Sequence, residues 1–136
     1  WPLERHLGRL AAADLFLDTF PCNAHTTASD ALWAGLPVLT LAGETFASRV
    51  AGSLLEAAGL PELVARSLDE YRASALRLAA DRGALAALRE RLARQRQAAG
   101  GPFDTPLFTR RLEAAYEAMW QNHLEGRAPR SLEIPA

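Results

Sequence analysis

Two short apolar runs constrain this chain most: Leu15-Phe16-Leu17, bounded by Asp14 and Asp18, and Val38-Leu39-Thr40-Leu41. Neither alternates with polar residues. That is the pattern of strands covered on both faces, as in a parallel sheet. Parallel neighbours need a crossover between them. Residues 26–34 supply one, with helical spacing that stops at Gly35 and Pro37 shortly beyond. A turn at Ala42-Gly43-Glu44-Thr45 then leads into a second helix over residues 47–58, closed by Gly59, and Leu63-Val64 reads as a third, very short strand. The alternation predicts an α/β fold of about three parallel strands with crossover helices. Three strands leave an edge open, so further strands are expected beside residues 15–17. The chain begins Trp1-Pro2 without an initiator methionine, and we read it as the C-terminal piece of something longer.

The flanking segments are helical. Leu3, Leu7 and Leu10 share one face of a short helix over residues 3–12. From residue 67 onward helices dominate. Ser67 suits a cap, followed by Asp69 and Glu70 at the positive end. Leu76, Ala79 and Ala80 give that helix apolar spacing, and Gly83 interrupts it. Leu85, Leu88 and Leu92 mark the next stripe, and Arg89, Arg91, Arg94 and Arg96 read as its solvated face. Gly100-Gly101-Pro102 is a break. Thr105-Pro106 opens a last helix reaching residue 125, with Phe108, Leu112, Ala115, Met119 and Trp120 as its expected buried side. The expected organisation is a partial Rossmann-like region over 1–66, C-terminal helices of the same domain over 67–126, and a flexible tail over 127–136.

Composition narrows the function. At 136 residues, 49% hydrophobic and 23% charged, this is a folded chain of one domain. Its net charge of -1 argues against nucleic acid or an acidic membrane as partner. All fifteen basic residues are arginine. No apolar run approaches the roughly 18 residues of a membrane span, and the N-terminus is no signal peptide. Cys22 is the single cysteine, which precludes an internal disulfide and fits a cytoplasmic location.

The informative segment is residues 18–30, which joins a strand's C-terminal end to a helix N-terminus. Ligands of open α/β sheets bind at that end, and helix N-termini attract phosphate through unpaired N–H groups. His25, Thr26 and Thr27 add donors. Asp30, one turn beyond Thr26, shares its face and can accept from ribose hydroxyls. The set suits a diphosphate carrying a ribose. A plainer reading stays open: Thr26 or Thr27 only caps the helix, and Asp30 only favours its positive end.

Ala13-Asp14-Leu15-Phe16-Leu17-Asp18-Thr19, Cys22-Asn23-Ala24-His25-Thr26-Thr27, Asp30-Ala31-Leu32-Trp33-Ala34-Gly35-Leu36-Pro37-Val38 and Gly43-Glu44-Thr45-Phe46-Ala47-Ser48-Arg49-Val50 are long and specific matches. Through them, residues 6–125 resemble the C-terminal part of the catalytic region of the O-linked N-acetylglucosamine transferases and their bacterial relatives. The resemblance implies a GT-B architecture, with two Rossmann-like halves facing a cleft. It implies inverting transfer of N-acetylglucosamine from the UDP-sugar to protein serine or threonine, with no metal or other cofactor. By position, His25, Thr26 and Thr27 would hold the diphosphate, Asp30 the ribose, and His6 and Arg9 the uracil, with Cys22 near the sugar pocket. The general base, the acceptor contacts and the tetratricopeptide array of the family would lie outside this chain. The family also uses lysines near the diphosphate and ribose. This chain has none, and one such position falls close to Leu3.

The expected function is therefore the UDP-sugar-binding part of a protein O-glycosyltransferase, inactive as a piece. The alternative is a non-catalytic helical interaction module that kept the fold and lost nucleotide binding. A metal site is not expected, because His6, His25, His123 and Cys22 lack ligand spacing. An NAD-binding Rossmann domain is disfavoured, since no Gly-x-Gly-x-x-Gly follows a strand. Glu44 either reaches the cleft or ties down the turn at Gly43, and Arg49 is expected in an ion pair.

Overall fold

A computed structural model describes residues 2–134. The chain divides into two compact units, residues 1–103 and 104–136. In the first, a short helix α1 (Leu3–Leu10) precedes strand β1 (Phe16–Leu17). Helix α2 (Thr26–Trp33) crosses to β2 (Val38–Leu41), and α3 (Val50–Ala57) crosses to β3 (Val64–Ala65). Helices α4 (Leu68–Ala80) and α5 (Arg82–Gln97) complete the unit. The strands run parallel in the order β1-β2-β3, with Phe16 opposite Val38 and Thr40 opposite Val64. Their C-terminal ends therefore share one end of the sheet.

Local chemistry explains the boundaries. Gly35 and Gly59 follow α2 and α3 with φ of 81° and 68°, the left-handed stop that glycine adopts without a Cβ penalty. Ser67 caps α4 by accepting the Glu70 N–H at 3.2 Å. Asp81 caps α5 through the Ala84 N–H, so the break between α4 and α5 lies at Asp81, and Gly83 falls in the first turn of α5. The turn after β2 also departs from expectation. A 3-10 turn (Phe46–Ser48) precedes α3, closed by reciprocal bonds between Thr45 and Ser48.

The core lies between sheet and helices: Leu32, Leu36, Val38, Leu55, Leu60, Leu63 and Leu78, with Leu85, Leu88 and Leu92 of α5. On α4 the buried residue is Leu78, whereas Leu76 is 62% exposed and Ala79 and Ala80 face solvent. Tyr71, Ser74, Ala75 and Leu78 form the inward face instead, spaced as one helical stripe. The α5 arginines are not simply solvated. Arg89 donates to the Ala13 carbonyl, and Arg91 to the Gly59 carbonyl and the Glu62 carboxylate. Arg96 donates to the Trp33 carbonyl at 3.0 Å and lies 5.7 Å from that residue's ring. Only Arg94 keeps to its own helix, opposite Glu90. Burial opposes ionisation of Glu62, but the Arg91 bond, a backbone bond and the Arg91 charge outweigh it and hold the carboxyl below its usual value.

Beside β1, a hollow of 810 Å³ is lined by Leu15, Leu17, Ala75, Ala79 and Leu85 among others, and Leu17 is about half exposed.

The second unit is α6 (Thr105–Leu124) and the segment after it. Asp104 caps α6 by accepting the Leu107 N–H, with Pro106 in the first turn. The expected buried stripe is open. Phe108, Leu112, Met119 and Trp120 are exposed, and Asn122 is the buried residue of the helix. Periodicity identifies an apolar face but not what covers it. Asn122 holds the carbonyls of Arg127 and Ala128. Among the described residues, no helix is long and apolar enough to cross a membrane.

Candidate functional site

The loop after β1 is built around a buried carboxylate. Asp18, 3% exposed, accepts the Thr19 and Ala24 N–H groups at 2.8 and 2.7 Å on Oδ1. Its Oδ2 accepts the Thr40 hydroxyl of β2 at 2.6 Å. Tyr71 of α4 donates its hydroxyl to the Asp18 carbonyl at 2.8 Å. Burial, then the Asp18 charge, pushes the Tyr71 hydroxyl above its ordinary pKa. Asn23, also buried, donates through Nδ2 to the carbonyls of Thr19 and Leu41, and its backbone N–H bonds the Ala47 carbonyl at 2.8 Å. The loop is thereby tied to both β2 and the turn beyond it. The Phe20–Pro21 peptide within it is cis.

This scaffold delivers the start of α2 to the C-terminal end of the sheet. His25 is the N-cap residue, and no side chain caps the helix. The capping reading of Thr26 and Thr27 thus loses its basis. Both occupy the first turn with their side chains exposed, beside backbone N–H groups that an α-helix leaves unpaired at its start. The α2 terminus is open to an anion.

Asp30 lies beyond that first turn, so proximity to the positive end does not account for it. Its carboxylate stands 3.3 Å from His6 Nε2, and Arg9 Nη2 stands 3.1 Å from His6 Nδ1. Guanidinium only donates, so Nδ1 accepts and the imidazole proton sits on Nε2, facing Asp30. The structure therefore brings His6, Arg9 and Asp30 into one chain of contacts across α1 and α2. Cys22 is exposed on the same loop as His25, and its own carbonyl accepts the Thr19 hydroxyl.

Leu3 is exposed at the start of α1. Glu44 is exposed too, and Thr45 and Ser48 tie down the turn in its stead. Arg49 makes no ion pair among the described residues. It lines a hollow of 360 Å³ with Ser53, Glu56 and Arg66. Sequence reasoning missed Asn23, Thr40, Tyr71 and Phe46. The first three act through contacts between elements distant in sequence. Phe46 stands edge to face with His25, at 5.9 Å between ring centroids, and its sequence signals, an aromatic in a turn and a place in the family match over residues 43–50, attached no role to it.

Comparison with known proteins bears on the fold and the family. The model of glycosyl transferase family 41 matches residues 1–112. A probable UDP-N-acetylglucosamine–peptide N-acetylglucosaminyltransferase, SEC, of Arabidopsis thaliana is 42% identical over 96% of the chain. A UDP-N-acetylglucosamine–peptide N-acetylglucosaminyltransferase of Caenorhabditis elegans is 41% identical over 90%. The chain spans only 13% and 11% of the length of these relatives. The solved structure of a Thermobaculum terrenum O-GlcNAc transferase mutant superposes with a TM-score of 0.86 at 42% identity, covering 94% of this chain and 24% of that one. The three parallel strands and their helices match a GT-B half-domain of that enzyme. With a family match over most of its length and relatives at this identity, the chain belongs to glycosyl transferase family 41.

Proposed function

We propose that this chain is the donor-binding part of a protein O-N-acetylglucosaminyltransferase, and that it binds UDP-N-acetylglucosamine as a piece without turning it over. The uncapped N-terminus of α2 at the C-terminal end of β1 carries this reading. There His25, Thr26 and Thr27 hold the diphosphate. As the sugar leaves, negative charge grows on UDP, and donors fixed in place offset it without a metal or other cofactor. Asp30 accepts from the ribose hydroxyls, with its carboxylate oriented by His6. His6 and Arg9 together meet the uracil. Cys22 borders the sugar. The general base, the serine or threonine acceptor and the recruiting tetratricopeptide region belong to parts outside this chain, and the reaction is cytoplasmic.

Calorimetric titration with UDP tests the reading. Saturable binding is expected, weakened at least about tenfold by Asp30→Ala, as for loss of a hydrogen bond to a charged group. Absence of binding, or an unaltered affinity in the variant, contradicts it. The first result would favour the alternative of an interaction module without a nucleotide site.

A further inference from the structure

Phe46 has the highest exposure of the large apolar side chains among the described residues, at 76%. Its backbone is not loose. Thr45 and Ser48 close the turn on either side, the Gly43 N–H bonds the Ser48 carbonyl at 2.9 Å, and Ala47 accepts from Asn23. Gly43 is required for that closure, since a Cβ there would stand 2.5 Å from Ser48 Oγ. The turn that carries the ring is thus fixed at the C-terminal end of the sheet. The ring meets the His25 imidazole at 5.9 Å with the planes 88° apart, and the two rings form a right-angled corner next to the open end of α2.

We infer that Phe46 forms the apolar wall of a subsite for the pyranose ring of the donor, an inference that rests on the donor reading above. With the diphosphate at the start of α2, the group attached to its distal phosphate emerges beside His25, within reach of this corner. An aromatic face carries negative charge density and attracts the polarised C–H groups that line one side of a pyranose. The imidazole alongside supplies a polar contact to a hydroxyl or to the phosphate. Such a mixture of one apolar wall and a few placed polar groups orients a small ligand. Phe46 is then a determinant of sugar affinity that leaves the nucleotide untouched.

The test compares UDP with UDP-N-acetylglucosamine on the parent chain and on Phe46→Ala and Phe46→Tyr, by calorimetry and by saturation transfer to the ligand protons in NMR. The sugar nucleotide should lose about three- to tenfold in affinity in Phe46→Ala, the range of an aromatic contact, while UDP is unchanged. Saturation transfer to the pyranose C–H protons should fall relative to that on the uracil, and Phe46→Tyr should restore both. Equal weakening of both ligands would mean that Phe46 acts only through His25, and would overturn the inference. So would an unaltered preference for the sugar nucleotide, or no preference in the parent chain. Loss of UDP binding in the parent chain would instead remove the donor reading itself, and the subsite with it.

Discussion

Asp18 bears more of the site's geometry than any residue that would touch a ligand. Three donors converge on its carboxylate: the Thr19 and Ala24 N–H groups and the Thr40 hydroxyl. Asp18→Ala takes this partner from all three, the Thr40 hydroxyl in a fully buried place and the two N–H groups in half-buried ones, at a cost of about 3 kcal/mol. Asp18→Asn should cost only about 1 kcal/mol, because its carbonyl can take both N–H groups and the Thr40 hydroxyl can rotate to accept. Urea denaturation measures both, and equal losses in the two variants would refute the assignment. Asp18→Asn carries a second readout. Tyr71 titrates above its ordinary value through burial and the Asp18 charge. Its share of stability is therefore complete below the unfolded value and lost as pH rises through the folded one. Removing the charge should narrow that window and shrink the alkaline loss. The position of His25, Thr26 and Thr27 at a helix start, with Asp30 on the same helix, was legible in the sequence because a strand end followed by helical spacing is a local signal. Asn23, Thr40 and Tyr71 were not, since only the crossing of β1, β2 and α4 gives them a role.

At the scale of elements, β2 was readable to the residue, and α2 nearly so, because unbroken apolar runs and a following glycine are local signals. The inward face of α4 was not. Leu76 and Leu78 lie two apart and so point to different sides, and an isolated helix offers no reason to prefer either. Tyr71 decides: its bond to the Asp18 carbonyl turns the face containing Leu78 toward the core. The arginines of α5 were misread for a related reason. Their partners, the carbonyls of Ala13, Trp33 and Gly59, are loop and helix-end groups whose positions no helical pattern records. The end of α2 offers a clean test of how such boundaries are set. Gly35 has φ of 81°, yet a Cβ there would meet nothing within 4 Å. Gly35→Ala should therefore cost only the left-handed backbone penalty, about 1 kcal/mol, with UDP affinity unchanged. A much larger loss in thermal or urea unfolding would mean that the turn into β2 carries strain beyond that one dihedral.

For the molecule as a whole, the question is which part of the chain is a folding unit. Every residue of the main core cluster lies before position 104, and the cluster draws on α5 as much as on the sheet: Leu85, Leu88 and Leu92 are buried, and Phe103 packs against it. The short strands cannot stand alone, since two-residue strands bury little by themselves. The Rossmann-like part and the two helices after it therefore share one core. A chain ending at Phe103 should unfold in a single cooperative transition and, on the proposed donor reading, bind UDP as the full chain does, because the residues assigned to the donor there, His6, Arg9, Cys22, His25, Thr26, Thr27 and Asp30, all lie within it. A chain ending at Ala80 loses three buried leucines, each contributing about 2 kcal/mol or more. It also loses the Arg91 and Arg96 ties. That sum rivals the whole stability of a domain this small, so the shorter chain should be unfolded by circular dichroism. A folded, UDP-binding chain without α5 would place the essential core within the sheet and its crossover helices alone, against the burial seen for α5.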